Sequence, residues 1–346
     1  MTPFEIFCAG LTAEDDAPAT QPHPIPNWTE NIWWIAYDPV TGIGVAAHLG
    51  STRHDFNVIR QTIVVALPDG RLATDVSVGG LPNSYAPRTP RIARGATLVM
   101  ECVDPFREWR VSNNGVAQIG NATDLWNNSP RQGTRVPLQL DLRGECLGPV
   151  WMAGAGDDVE HMQKQEWAKS HYQQTIRLRG TIELDGVRHE LNGTGYRDHS
   201  RGPRDFSSWA GHALFTAPFA SGRSFGLMAL FGPGGATTYS SAYVVRDGIL
   251  QRGKPGEVRV VSTDVLNGES GAFELMVGGK TERISYRVHA CSLLSMLAPY
   301  DVTPGLYRDR PGGIALCDAF GSFEWDGETG YGILERTTLT DTLPLI

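Results

Sequence analysis

Cysteine is sparse. Cys8, Cys102, Cys146, Cys291 and Cys317 are odd in number and never spaced CxxC, so neither a disulfide framework nor a zinc site is supported, and the thiols read as reduced core residues. Lysine is rarer still, confined to Lys164, Lys169, Lys254 and Lys280, and the formal charge of −8 leaves no basic footprint for a nucleic-acid partner. No window approaches the roughly 18 uninterrupted apolar residues of a membrane span, and no charged start leads into an apolar stretch at the N-terminus; this predicts a cytoplasmic protein with no membrane span. The Asn-X-Ser/Thr triplets at Asn27, Asn121, Asn127 and Asn192 then read as chance. GxSxG, HExxH, the P-loop and a strand-linked GxGxxG are all missing, since Gly232-Pro233-Gly234-Gly235 lacks the strand–helix context, so hydrolase, zincin and nucleotide readings lose their usual support. No cofactor and no metal are expected.

What the chain has in quantity is core and turns. Of its 346 residues 41% are hydrophobic and 20% charged, with 40 Gly and 22 Pro, which suits many short strands. Alternating apolar runs break at Asp69-Gly70, Asp185-Gly186, Asp247-Gly248, Gly278-Gly279 and Asp326-Gly327, dipeptides that accept the positive φ of tight hairpins. Further strands are expected at 33–37, 44–48, 62–67, 224–230, 240–245, 258–262, 284–290 and 331–335. Such spacing predicts an all-β protein of antiparallel sheets rather than a βαβ sheet. One helix is expected, at 157–174, rich in Glu, Gln, Lys and Ala without Gly or Pro, and residues 1–26 read as a poorly ordered lead-in.

The chemically dense segment is 193–209, GTGYRDHSRGPRDFSSW. If it continues the strand begun at Val187, residues 197, 199 and 201 share one face and 196 and 198 the other. Buried charge must be paired, so one reading is an ion-pair clasp in which Arg197, Arg201 and Arg204 satisfy Asp198 and Asp205. The other makes Asp198 or His199 a proton-transfer group tuned by burial and charged neighbours, with Tyr196 as a hydrogen-bond donor.

At this segment, 195–205 resembles the RDHSWG signature of the carotenoid 1,2-hydratase and AttH-like superfamily. His171-Tyr172-Gln173-Gln174 with Arg179-Gly180-Thr181, the closing stretch from Phe323 through Glu335-Arg336, and the opening strand 31–37 are similar to the same family. The resemblance implies two lipocalin-like β domains side by side, expected at 27–205 and 206–346, with the signature at their junction. It also implies acid-catalysed chemistry on an isoprenoid double bond near Asp198 and His199. Fungal Diels–Alderases are similar to the same scaffold, so a pericyclic role stays open, as does a non-catalytic carrier.

One position departs from the family: its signature Trp is Arg201 here. A guanidinium about 4 Å from a carbocation costs roughly 4 kcal/mol at an effective dielectric near 20, about three decades in rate. Arg201 therefore reads either as neutralised by Asp198 or Asp205, or as the holder of an anionic oxygen on the substrate. The expectation is a cofactor-independent lyase, hydratase, dehydratase or isomerase acting on a small hydrophobic terpenoid, steroid or aromatic molecule. Asp198, His199 and Tyr196 are its catalytic candidates, and Arg201, Arg197, Trp209, His212 and His48 line the substrate.

Overall fold

The computed structural model describes residues 3–53, 55–80, 89–128, 133–152, 168–203, 205, 210–296, 302–309 and 312–346. It is 63% strand and 8% helix, so the all-β expectation holds. The first sheet comprises β1 (Thr29–Asp38), β2 (Ile43–Ser51), β3 (Val58–Ala66), β4 (Arg71–Gly80), β5 (Ile92–Arg94), β6 (Leu98–Asp104), β7 (Glu108–Asn121), β8 (Arg135–Cys146), β9 (Trp151–Met152), β10 (Ser170–Leu184) and β11 (Val187–Gly202). The second comprises β12 (Gly211–Pro218), β13 (Ser224–Phe231), β14 (Thr237–Arg246), β15 (Ile249–Pro255), β16 (Ser270–Val277), β17 (Lys280–Met296), β18 (Val302–Pro304), β19 (Ile314–Trp325) and β20 (Glu328–Leu339).

Each sheet closes on itself. The run β4-β3-β2-β1-β11-β10-β8-β7 is sealed by pairing of β4 with β7, and β16-β15-β14-β13-β12-β20-β19-β17 by pairing of β16 with β17. Closure removes the exposed edges that would otherwise template aggregation. Every expected Gly-containing dipeptide turns a hairpin, and at Asp185-Gly186, Asp247-Gly248, Gly278-Gly279 and Asp326-Gly327 both residues have positive φ. Such primed turns match the right-handed twist of the strands and set their register.

Period-two alternation decides which side chains go where. On β1, Ile32, Trp34 and Ala36 fill the first barrel, whereas Trp33, Ile35 and Tyr37 join a cluster continuous with the second barrel. The barrels thus meet outer face to outer face, β1 and β11 of one against β12 and β20 of the other. Tyr37 packs there on Phe320 and stacks on His289.

Three expectations are corrected. Of the helix expected at 157–174, residues 157–167 lie outside the described residues, and Ser170–Gln174 belong to β10. Their ladder with β11 and the burial of Tyr172 and Gln174 outweigh a modest helical propensity. Residues 258–262 form no strand; β15 stops at Pro255, and Val261 is buried without a ladder. The lead-in carries local structure at Pro3–Phe7 and Ala13–Asp16, two helical turns, and Asp16 is fully buried against the first barrel.

Candidate active site at the barrel junction

The alternation expected for the signature segment is realised in β11, and it separates two functions. Arg197 and His199 point into the first barrel. Arg197 Nη2 donates to Asp16 Oδ1 at 2.5 Å and to Gln174 Oε1 at 2.7 Å, and its guanidinium lies over the rings of Trp34, Trp109 and Tyr172. Asp16 also accepts from Tyr172 Oη at 2.6 Å, the Phe106 amide at 2.6 Å and Trp109 Nε1 at 3.1 Å. Burial alone would raise its carboxyl, but Arg197 and these donors outweigh it and hold the group at about 2. His199 Nε2 donates to Glu30 Oε1 at 2.9 Å, and Arg201 Nε donates to the same oxygen at 2.9 Å. Glu30, despite burial, is likewise drawn down to about 2 by His199, Arg201 and the Ala19 amide. Burial and Arg201 lower His199, against the opposing pull of Glu30 and Asp16.

This is the ion-pair clasp, but with other acids than expected. Asp16 pairs with Arg197 and Glu30 with Arg201, whereas Asp198 lies on the other face of β11 against His171. The clasp staples the N-terminal segment to the barrel: Arg201 Nη2 also donates to the Ala17 carbonyl at 2.6 Å.

Tyr196, Asp198 and Ser200 face the opposite way, toward the second barrel. A cavity of about 60 Å³ opens there, lined from the first barrel by Asn31, Trp33, His48, His171, Asp198 and Ser200. The second barrel supplies Glu335 and His212 amid apolar side chains that include Leu214, Met228, Leu230, Met296 and Leu316. In register, Asp198 stands between Gln173 and Trp33, and Trp33 opposite His48. His171 Nε2 donates to Asp198 Oδ2 at 3.2 Å, and His48 Nε2 to Asn31 Oδ1 at 3.1 Å. Gly50 permits the second bond, because a Cβ there would stand 2.5 Å from Asn31 Oδ1 and 2.8 Å from His48 Cε1.

Across the cavity, His212 Nε2 donates to Glu335 Oε1 at 2.7 Å, and Thr337 Oγ1 lies 2.9 Å from its Nδ1. Thr337 thereby fixes the ring so that its other nitrogen faces the carboxylate. The Tyr196 hydroxyl donates to Glu335 Oε2. Burial would raise Glu335, yet His212 and Tyr196 hold it below the usual carboxylate range. Burial and the charges of Glu335 and Asp198 push the Tyr196 phenol well up, so it remains a donor.

Of the expected site residues, Asp198, His212 and His48 line the cavity, and Tyr196 reaches it through Glu335. His199, Arg197 and Arg201 lie on the far side of the same strand, so His199 faces away from Asp198 and Arg201 faces away from the cavity. The cause is the pleat, which sends neighbouring side chains to opposite faces. Trp209 and Arg204 lie outside the described residues. Unanticipated members are Glu335, His171, Asn31 and Trp33, together with Asp318, whose carboxyl is fully buried behind Glu335. A charged residue at one parity of an otherwise apolar strand was the available signal for Asp318 in β19. Among the described residues no cluster of His, Cys, Asp and Glu has the geometry to hold a metal ion.

Residues 12–340 match the family described as a domain of unknown function, DUF7064. The chain belongs to this family. No curated protein matches it. Among solved structures it is similar to an AttH-assigned protein (NE1406) from Nitrosomonas europaea, at 11% identity and a TM-score of 0.57, covering 90% of this chain and 92% of that one. It is also similar to CghA crystallised with Sch210972, at 14% identity and a TM-score of 0.50, covering 91% of this chain and 89% of that one. At such identities the likeness establishes that this DUF7064 chain shares their fold. No helix among its described residues is long and apolar enough to cross a membrane.

Proposed function

We propose that this DUF7064 protein is a cofactor-independent acid–base enzyme of the hydratase, dehydratase or isomerase type. Its substrate is a neutral, hydrophobic, oxygen-bearing molecule of terpenoid, steroid or aromatic kind. It binds where a domain at 27–205 meets one at 206–346. The observation that carries the reading is the pair of carboxylate–histidine couples facing one apolar cavity, Asp198–His171 from the first barrel and Glu335–His212 from the second.

Two such couples supply what addition or removal of water requires: one group to deliver a proton to carbon or oxygen and another to take one from water or from the substrate. In this reading Asp198 acts as acid or base with His171 orienting it. Glu335 with His212 serves at the other wall, and Tyr196 fixes Glu335. His48 and Asn31 offer a hydrogen-bonding corner for the ligand's oxygen. No Arg or Lys lines the cavity among the described residues, so the anionic substrate suggested by Arg201 loses its support. A carboxylate about 4 Å from developing positive charge instead stabilises it by roughly the 4 kcal/mol that an arginine would have cost, and the face of Trp33 adds to this.

The test is incubation with a panel of neutral terpenoid, steroid and phenolic compounds, read by mass spectrometry for gain or loss of water or for isomerisation. Asp198→Asn is expected to lower turnover by about 10²–10⁴ while ligand binding persists; undiminished turnover would overturn the assignment. A second reading, shape-templating of a pericyclic step or simple carriage, is favoured by the largely apolar far wall and by the fold shared with CghA, which holds Sch210972. It predicts binding with turnover indifferent to both couples.

A further inference from the structure

Behind the cavity wall lies a group that neither couple uses. Asp318 on β19 is fully buried, and neither carboxyl oxygen meets an N–H or O–H donor among the described residues. Its cross-strand neighbours on the same face are Glu335 of β20 and Ser292 of β17. The Ser292 hydroxyl is itself fully buried without a partner among the described residues. Glu335 is the carboxylate that stands directly opposite Asp318 in the β19–β20 ladder. Two carboxylates cannot bond to each other, and two bare charges side by side in a dry interior repel. A single proton between them removes both difficulties.

Which oxygen carries the proton follows from the other contacts. Glu335 already accepts from His212 on one oxygen and from Tyr196 on the other, which favours its ionised form. No cation balances Asp318: burial, then Glu335, Cys317 and Asp198 all push its carboxyl well above the ordinary range. Ser292 is the neutral polar neighbour on its remaining side.

We propose that Asp318 is held as a neutral carboxylic acid whose O–H donates to Glu335, so that the two carry one proton and one negative charge between them. This rests on the proposed site but concerns the resting protein. Asp318 is a positioning residue: its bond orients Glu335 toward His212 and keeps the second barrel's wall at a single negative charge. No covalent bond changes; the proton stays on Asp318 until alkali removes it, whereupon the added charge repels the Glu335 carboxylate.

Infrared spectroscopy of the ligand-free full chain in D2O near neutral pH tests this directly, because the C=O stretch of a protonated carboxyl is separate from carboxylate bands. A carboxylic-acid band is expected in the wild type, lost in Asp318→Asn, kept in Asp198→Asn, and bleached in the wild type as the pH is raised into the alkaline range. Should Asp318→Asn fail to fold, Glu335→Gln serves: its amide can donate to a carboxylate, so the band should weaken or titrate at lower pH. A neutral-pH spectrum without the band, or a band unmoved in Asp318→Asn or Glu335→Gln, would overturn the proposal. Since no turnover is read, that failure would leave the roles of Asp198 and His212 standing, and failure of those roles would leave this one standing.

Discussion

Replacing Asp16 with Asn removes the charge on which the clasp is built while changing almost no volume. All the hydrogen bonds to its carboxylate come from donors, Arg197, Tyr172, the Phe106 amide, Trp109 and the Cys102 thiol. An amide NH2 must therefore confront at least one of them, and Arg197 is left as a buried cation without its counter-charge. Breaking a buried pair in this way costs about 3–5 kcal/mol, on the order of 10 °C in Tm for a domain of this size. Part of that loss is pH-dependent. Asp16 is held at about 2 against an ordinary 3.8, a difference of about 2 kcal/mol. Its folded value lies below its unfolded one, so the contribution is complete above about pH 4 and vanishes as the pH falls toward about 2. Urea denaturation of the wild type and Asp16→Asn at a series of pH values reads both numbers. The control is Asp15→Asn, which touches only an exposed helix cap and should cost about 1 kcal/mol or less. A deficit in Asp16→Asn below about 1 kcal/mol, or one that does not shrink on acidification, would refute the clasp.

Other consequences separate the two faces of β11. Arg201→Met, which removes the bonds to Glu30 and Ala17, should lower stability by about 1–3 kcal/mol and leave the turnover of any identified substrate unchanged; a loss of turnover at full stability would return Arg201 to the site. Gly50→Ala should force apart the Asn31–His48 bond and cost about 1–3 kcal/mol by overpacking, with weakened ligand binding; an intact bond in its crystal structure would contradict this. Asp318→Asn should be more stable than the wild type at alkaline pH. The folded state holds that proton above the pH at which the unfolded chain releases it, so wild-type stability declines as pH rises from the ordinary Asp range to the raised folded value. A difference in stability between wild type and variant that is the same at neutral and alkaline pH would speak against it.

Much of the architecture was legible because hairpin chemistry and alternation are local. Asp185-Gly186 fixes the register of β10 against β11, and the period of two then assigns 197, 199 and 201 to one face and 196 and 198 to the other. What could not be read locally was the partner on each face. Asp16 reaches Arg197 across 181 positions and Glu30 reaches His199 across 169, so adjacency in sequence favoured Asp198 as a neutralising acid although it serves the other face. The pairing of Asp198 with His171 depends on the β10–β11 register, and a helix expected through residue 174 concealed it. Glu335 and Asp318 gain their meaning only when the second barrel docks, because the local pattern of β19 and β20 does not say what their outer face meets. Arg201 shows the cost of reading a signature without its pleat: next in parity to His199, it belongs to the clasp.

The central claim is that chemistry takes place between the barrels, against Asp198 and Glu335, and not inside either one. A crystal structure with a bound neutral ligand from the turnover panel tests it most directly. The ligand's oxygen should lie within hydrogen-bonding distance of Asp198, Glu335 or the His48–Asn31 corner, with its hydrocarbon against Leu214, Met228 and Leu316. Density for the ligand inside the first barrel beside His199 and Arg201, or inside the second beside Arg336 and Glu269, would contradict the account.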